Sequence, residues 1–318
     1  MTIEPPAPGE PRRPTGPRDP GDAWVIADDG TRYWGRFGAA GLLAWDPARG
    51  VDGSVLLQHR VAWSHHGGTW GIPGGARHEG EDAATGAVRE AQEEAGVPDG
   101  AVRPLLSSLL DLEIWTYTTL VGEVVEPFEP VIADPESVAL EWVPVADVDR
   151  RPLHPGFAAS WPHLRAMLAM RAAPVLVVDA ANVVGSVPDG WWKDRAGAAG
   201  RLRDRLDALA AAGLPGDVLE LSGVAGVVGG GVVWYPDIVL VVEGAARAIP
   251  AADSRIRVVT APGEGDDAIV AEVRRHRADG RAVITVTSDR GLVARVQDAG
   301  ATTRGVRWLR DLLDAPAA

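Results

Sequence analysis

Residues 70–97 read WGIPGGARHEGEDAATGAVREAQEEAGV, and the spacing of glycines and acids in this stretch decides the fold of the first half of the chain. Trp70-Gly71-Ile72-Pro73-Gly74-Gly75 requires a tight loop, because proline fixes φ and glycine admits φ > 0. The residues after it predict a helix over 83–95 that carries Glu90, Glu93 and Glu94. At i, i+3 and i+4 these three carboxylates share one helical face. Like charges so placed repel by roughly a few tenths of a kcal/mol per pair in water. A cation is therefore expected among them. Oxygen ligands clustered without His or Cys suit Mg²⁺ or Mn²⁺ rather than zinc. Arg89 alone is not expected to neutralise three carboxylates. The plain alternative for such a triplet is a solvated acidic helix face.

The wider spacing separates these readings. In order come Gly75, five residues, Glu81, seven residues, Arg89-Glu90, Ala91, any residue, Glu93-Glu94, any residue, Gly96 and Val97. Every fixed position resembles the signature of the Nudix hydrolases, without a gap. WGIPGG before it, VLLQHR at 55–60 and EWVP at 141–144 are similar to the family too, so the resemblance covers roughly residues 24–155. It implies an α/β/α sandwich with a mixed sheet that hydrolyses a nucleoside diphosphate linked to another group, by attack of water on phosphorus. By family pattern Glu90, Glu93 and Glu94 ligate metal, joined by the Gly75 carbonyl. Glu81 assists a metal or water, and Arg89 orients a carboxylate through a salt bridge. Glu93 and Glu136 are the two candidates for general base. A nucleoside triphosphate, oxidised forms included, is the default substrate. Arg36, Phe37, Gly38, Trp115 and Tyr117 are candidates to clamp a base, although aromatic residues in strands more often belong to a core. His65 and His66 are read either as phosphate contacts or as loop supports.

Outward from this stretch, 318 residues suggest about two domains. Seven prolines between positions 5 and 20 predict a disordered or polyproline tail over 1–22. A Nudix domain with a closing helix at 156–171 is expected over 23–172, built on strands near 36–45, 54–59, 105–119 and 140–143. Residues 173–318 follow a different grammar, with strands alternating with helices as in a Rossmann-like parallel sheet. The chain has no cysteine, which removes disulfides, thiolate metal sites and cysteine nucleophiles. No apolar run approaches the ~20 residues of a membrane span. The first ten residues lack a basic and apolar leader pattern, and a cytoplasmic protein is expected. The net charge of −13 is uneven: 14 Lys+Arg face 25 Asp+Glu over 1–173, while 17 face 19 over 174–318. So acidic a first half is a poor general nucleic-acid binder. The sequence fixes no oligomeric state.

The second half carries its own constellation. PVLVVDAANVVG ends an apolar strand at Asp179, with Asn182 three residues on. GEGDDAIV sets Asp266 and Asp267 at a helix start, and AVITVTSDRG ends a strand before Asp289. Each acid has a bland role as a helix cap or dipole partner. In this order they resemble the PIN-like nucleases of the NYN branch. That implies a metal held by Asp179, Asn182, Asp266, Asp267 and Asp289, and RNA as a partner. An RNA-processing nuclease whose Nudix half binds or senses a nucleotide is accordingly the second functional expectation.

Overall fold

Ala39–Asp46 is buried at all eight positions, and a strand buried on both faces lies inside a sheet. The computed structural model, which describes residues 1–6, 19–169, 174–220 and 231–315, places it there. The chain forms two compact units, Met1–Met170 with Glu220–Val233, and Arg171–Leu219 with Trp234–Ala318.

In the first unit, β1 (Thr2–Glu4), β2 (Trp24–Ile26) and β3 (Arg32–Trp34) make a small antiparallel sheet. The main sheet is built from β4 (Ala39–Asp46), β5 (Ser54–Arg60), β6 (Trp70–Gly71), β7 (Gly74–Ala76), β8 (Val102–Asp111), β9 (Thr116–Val124) and β10 (Ser137–Pro144). Its order runs β10-β5-β4-β9-β8, with β6 on β5 and β7 on β4. β4 pairs antiparallel with β5 and β7 but parallel with β9, so the sheet is mixed. α1 (Ala83–Ala95) packs against β4, β7 and β9. α2 (Pro155–Ala169) buries Phe157, Trp161, Leu164, Met167 and Leu168.

Three expectations for this unit are corrected. The tail does not start at residue 1: the proline-free segment MTIE supplies Thr2–Glu4, whose backbone pairs with Trp24–Ile26. The prolines from 8 to 17 lie outside the described residues. The single run 105–119 is two antiparallel strands, β8 and β9. Its turn has no Gly, Pro or Asn to announce it. The Asp111 carboxylate accepts the Glu113 N–H at 2.8 Å instead, and Glu113 takes φ 64°. Finally, Gly231–Val233 falls in the first unit, where the Gly231 carbonyl accepts from Leu109 N–H of β8 at 3.0 Å. The unpaired edge of β8 finds a partner there that periodicity does not reveal.

In the second unit the sheet is parallel throughout. It comprises β11 (Val175–Asp179), β14 (Asp237–Val242), β15 (Arg257–Thr260), β16 (Val283–Val286) and β17 (Thr302–Arg304), ordered β15-β14-β11-β16-β17. Two short strands precede β14 along the chain, β12 (Leu214–Pro215) and β13 (Val232–Trp234). The apolar run at 231–242 therefore breaks at Tyr235-Pro236, since proline cannot donate to a ladder. The helices are α3 (Ala180–Gly185), α4 (Arg195–Ala212), α5 (Gly265–Ala278), α6 (Arg290–Asp298) and α7 (Val306–Asp314). Val175, Val177, Val239 and Val241 pack with Ile269 and Val273 of α5 and with Leu292 and Val296 of α6. The intervening Leu176, Val178 and Leu240 are equally buried and, by strand alternation, face the opposite side. Helices on both faces explain why these strands read as continuous apolar runs.

Trp161, fully buried, lies 5.6 Å from the Phe157 ring. Trp161→Ala should cost the first unit about 3–5 kcal/mol, read as a lowered urea midpoint in far-UV circular dichroism.

Candidate active site

Local chemistry sets the frame of α1. Asp82 caps its start by accepting the Thr85 N–H at 2.9 Å, and Gly96 ends it at φ 64°, a conformation glycine adopts freely. Between those ends the helix turns Glu90 and Glu94 inward, where both are buried, while Glu93 stays on the open side. Glu94 lies against the glycine turn. Its Oε2 accepts from the Gly74 N–H at 2.9 Å and from Gln58 Nε2 at 3.3 Å. Burial and the neighbouring Glu90 charge push its carboxyl up to about 8. Gly75 sits even closer to the acids: a Cβ there would meet the Glu90 carboxylate at 2.7–2.9 Å. Glycine is required at this point because any side chain would occupy the space of the carboxylate.

Arg89 reaches further than expected. Its Nε and Nη2 grip both oxygens of Glu81 at 2.8 and 2.9 Å, in the bidentate geometry that suits a guanidinium. Nη1 donates to Glu90 at 2.7 Å and approaches Glu93 at 3.4 Å, and Nη2 also donates to the Ala76 carbonyl. One arginine thus reaches three carboxylates, but of the helix triplet only Glu90 and Glu93, in keeping with the expectation that it would not neutralise all three. It holds Glu81 down at about 2 by hydrogen bonding, and its own pKa is raised in return. Glu94 is left outside this network, with no ion pair among the described residues. The site therefore still presents buried carboxylates one turn apart beside a backbone with no side chain. That all-oxygen set fits a hard divalent cation.

Glu136 lies in the loop before β10, 3.7 Å from Arg60, and its charge reaches Glu94. Gln58 and Arg60 were missed in the sequence. A polar Gln58 inside the apolar run VLLQHR was the available signal: it is fully buried and bridges Glu94 to Ser137 Oγ at 2.8 Å. The proposed base clamps separate. Trp115 stacks on Tyr33 at 4.9 Å and donates its indole N–H to the Trp34 carbonyl, so its ring is already committed. Tyr117 presses its hydroxyl towards Gly41, and burial and the Glu94 charge raise its pKa. Arg36 lies 5.4 Å over Phe37, and Gly38 turns the chain into β4 at φ 86°. His65 and His66 meet a third ring, His154.

The first unit is similar in sequence to known proteins. The NUDIX domain model matches residues 36–167. A Mycobacterium tuberculosis protein named "Putative 8-oxo-dGTP diphosphatase 3" is 47% identical over 155 residues, 46% of this chain and 70% of that protein. The chain belongs to the Nudix family. A "Nucleoside triphosphate pyrophosphatase/Nudix hydrolase fusion protein" of Bifidobacterium longum is 41% identical over 153 residues, 47% of this chain and 32% of its own length. Among solved structures, a Nudix hydrolase from M. smegmatis, RenU, is 45% identical and covers 47% of this chain and 96% of its own, with a TM-score of 0.44. This Nudix protein is a pyrophosphohydrolase, acting on a nucleoside diphosphate linked to another moiety.

The Nudix match leaves the second unit uncovered, and there the acids gather at the carboxyl edge of the parallel sheet. Asp179 ends β11, accepts the Asn182 N–H at 3.0 Å and takes the Thr287 hydroxyl at 2.9 Å. Burial raises its pKa, helped by the charges of Asp266 and Glu243. Asn182 Oδ1 accepts the Ser288 N–H at 3.0 Å, tying the two loops together. Asp289 caps α6 through the Leu292 N–H at 2.8 Å, and burial together with the Asp289 charge raises the pKa of Asp266. Asp266 and Asp267 both pair with Arg295, and Asp267 is exposed. The inward member of that pair is Asp266. Glu243, at the end of β14, was missed because its acid follows an apolar run without any motif; it accepts the Gly265 N–H.

Gly75→Ala should displace the Glu90 carboxylate and weaken Mg²⁺ binding by about tenfold or more. The check is the Mg²⁺ concentration that raises the melting temperature of the full chain, with Glu90→Ala expected to blunt the same rise.

Proposed function

We propose that the first unit hydrolyses a nucleoside triphosphate, oxidised purine forms included, by in-line attack of water on phosphorus with Mg²⁺ or Mn²⁺ as cofactor. The observation that carries this reading is the buried pair Glu90 and Glu94 set against the side-chain-free backbone of Gly74 and Gly75. The name of the M. tuberculosis relative, at 47% identity, supports the substrate class. Gly75, through its carbonyl, with Glu90, Glu93 and Glu94 would hold the cation, which when bound neutralises diphosphate oxygens and lowers the pKa of water. Glu81 buttresses the set through Arg89, and Arg89 fixes the rotamer of Glu90 while compensating part of its charge. Glu94 is aligned by the Gly74 N–H and Gln58. A base must take the water proton, and two carboxylates are placed to do so: Glu93 on the open side of α1, and Glu136 beside Arg60. We place the protein in the cytoplasm, where its nucleotide substrates are found. Among the described residues no helix is long and apolar enough to cross a membrane.

Glu94→Gln should reduce turnover of nucleoside triphosphates by at least about 100-fold while leaving the circular dichroism spectrum unchanged, since the swap removes charge but little volume. Wild-type rates in the folded variant would remove Glu94 from the metal set. The bases separate by pH: Glu136→Gln should lose kcat and the acidic limb of its pH profile if Glu136 takes the proton and keep both if Glu93 does, whereas Glu93→Gln should lose kcat in either case because Glu93 also holds the cation.

A second reading rests on a separate observation, the convergence of Asp179, Asp266, Asp289 and Glu243 at one sheet edge. In α/β folds ligands bind at that edge. It supports assigning residues 173–318 to a PIN-like domain of NYN type that cleaves RNA, with Asp179, Asn182, Asp266, Asp267 and Asp289 at its metal site. The run Arg274–Arg277 is not a continuous basic face, because His276 is buried and Arg275 pairs with Glu272. Cleavage of single-stranded RNA by the full chain should disappear in Asp179→Asn and persist in Glu94→Gln. Cutting that survives Asp179→Asn in folded protein would place the activity elsewhere.

A further inference from the structure

The first unit brings together three histidines that the hydrolytic site does not use. His65 and His66 lie in the turn between β5 and β6, and His154 precedes α2. One ring nitrogen from each lies within 4.8 Å of the others. The ring centroids of His65 and His66 are 4.1 Å apart, those of His66 and His154 4.8 Å. No carboxylate pairs with any of the three among the described residues.

The backbone holds these rings in place. His66 sits at φ 54°, a conformation uncommon for a residue with a Cβ. Its carbonyl accepts the Thr69 hydroxyl at 2.6 Å, and Gly67 N–H donates to the Ser64 carbonyl at 2.8 Å. The Gly67 turn is obligatory, since a Cβ there would lie 2.3 Å from the Val61 carbonyl oxygen. The N–H of His154 donates to the Trp70 carbonyl at 2.7 Å. The His65 ring packs edge-on to Trp24 at 5.4 Å. The left-handed residue, His66, carries the ring that lies nearest both of the others.

We infer that His65, His66 and His154 form a three-imidazole site for a borderline transition-metal dication such as Zn²⁺, chemically distinct from the carboxylate site. Neutral imidazole is the commonest metal nitrogen ligand, and three of them with a fourth position open to solvent is an established zinc arrangement. Zn–N bonds of about 2.0–2.1 Å set tetrahedral nitrogens about 3.4 Å apart. Rotation of the exposed His65 and His66 rings closes the remaining gap of about 1.4 Å. Burial lowers the pKa of His65, and that of His154 to about 4, so both offer neutral lone pairs at neutral pH. The cationic neighbours are Arg60 and Arg32. Each faces an acid of its own, Glu136 at 3.7 Å and Glu4 at 3.9 Å, which offsets its field. At His154 the ion displaces one weak contact, the 3.2 Å donation from Gly156 N–H to Nδ1. A metal here would tie the turn at 61–69 to the segment entering α2. Both flank β6, which leads into the glycine turn.

The test is a Zn²⁺ titration of the full chain by calorimetry in saturating Mg²⁺, which keeps the oxygen sites filled. Wild type is compared with His66→Asn, which tolerates the left-handed backbone, and with His154→Gln. The expected result is one Zn²⁺ site in wild type whose affinity falls at least about tenfold in each folded variant. Zinc X-ray absorption of the wild-type complex should show imidazole scattering. Equal affinity and stoichiometry in all three proteins, or an all-oxygen shell, would overturn the inference. So would variants that bind Zn²⁺ normally but lose binding of inorganic phosphate in metal-free buffer, because the cluster would then be an anion site.

Discussion

Arg89 is the contact on which the first unit's chemistry depends. Its guanidinium spans the C-terminal end of β7, the loop that supplies Glu81, and two successive turns of α1. Each carboxylate it meets would otherwise repel the next, and burial would favour protonation of them all. A planar fork with five donors can hold Glu81 bidentately and still reach Glu90. A lysine, as a point charge, could not. The result is an acid set that stays ionised on one side, at Glu81, and is poised on the other, at Glu94. Glu94 instead depends on the Gly74 N–H and Gln58, which orient it without cancelling its charge.

The two units solve the same problem with different scaffolds. In the first, acids come from one helix, and the space beside them comes from a turn too crowded for any Cβ at Gly75. In the second, acids come from the ends of parallel strands and the starts of helices, brought together because a parallel sheet gathers its strand ends at one edge. Thr287 and Asn182 play the orienting part there that Gln58 and Gly74 play in the first unit. The histidine cluster differs from both. It is made from imidazole nitrogens on two turns with no acid partner among the described residues, so it favours a softer ion than the carboxylates do.

Legibility followed the range of the interactions. The bounds of α1 were readable because Asp82, Gly96 and the Glu face all act within a turn of the helix they define. Asp179 and Asp289 were readable because each ends an apolar run inside a short motif, Asp179 three residues before Asn182 and Asp289 after Thr287-Ser288. The hairpin between β8 and β9 was hidden, because an Asp111 side chain and a left-handed Glu113 do the work usually given to glycine. The pairing of Thr2–Glu4 with Trp24–Ile26 spans twenty-odd residues of proline-rich chain and leaves no periodic trace.

By itself, the sequence determined the Nudix membership, the helix that bears Glu90, Glu93 and Glu94, and the alternating strand–helix grammar of the second half. All of these are set by fixed spacings or by local φ, ψ preferences. Tertiary structure alone decided which acids are buried, that one arginine reaches three of them, and that Gln58 and Glu243, which no motif marks, lie beside acids that motifs do mark. It also decided that His154 joins His65 and His66 across 88 residues of chain. Those facts depend on which distant segments the core brings into van der Waals contact, and a spacing rule carries no information about that.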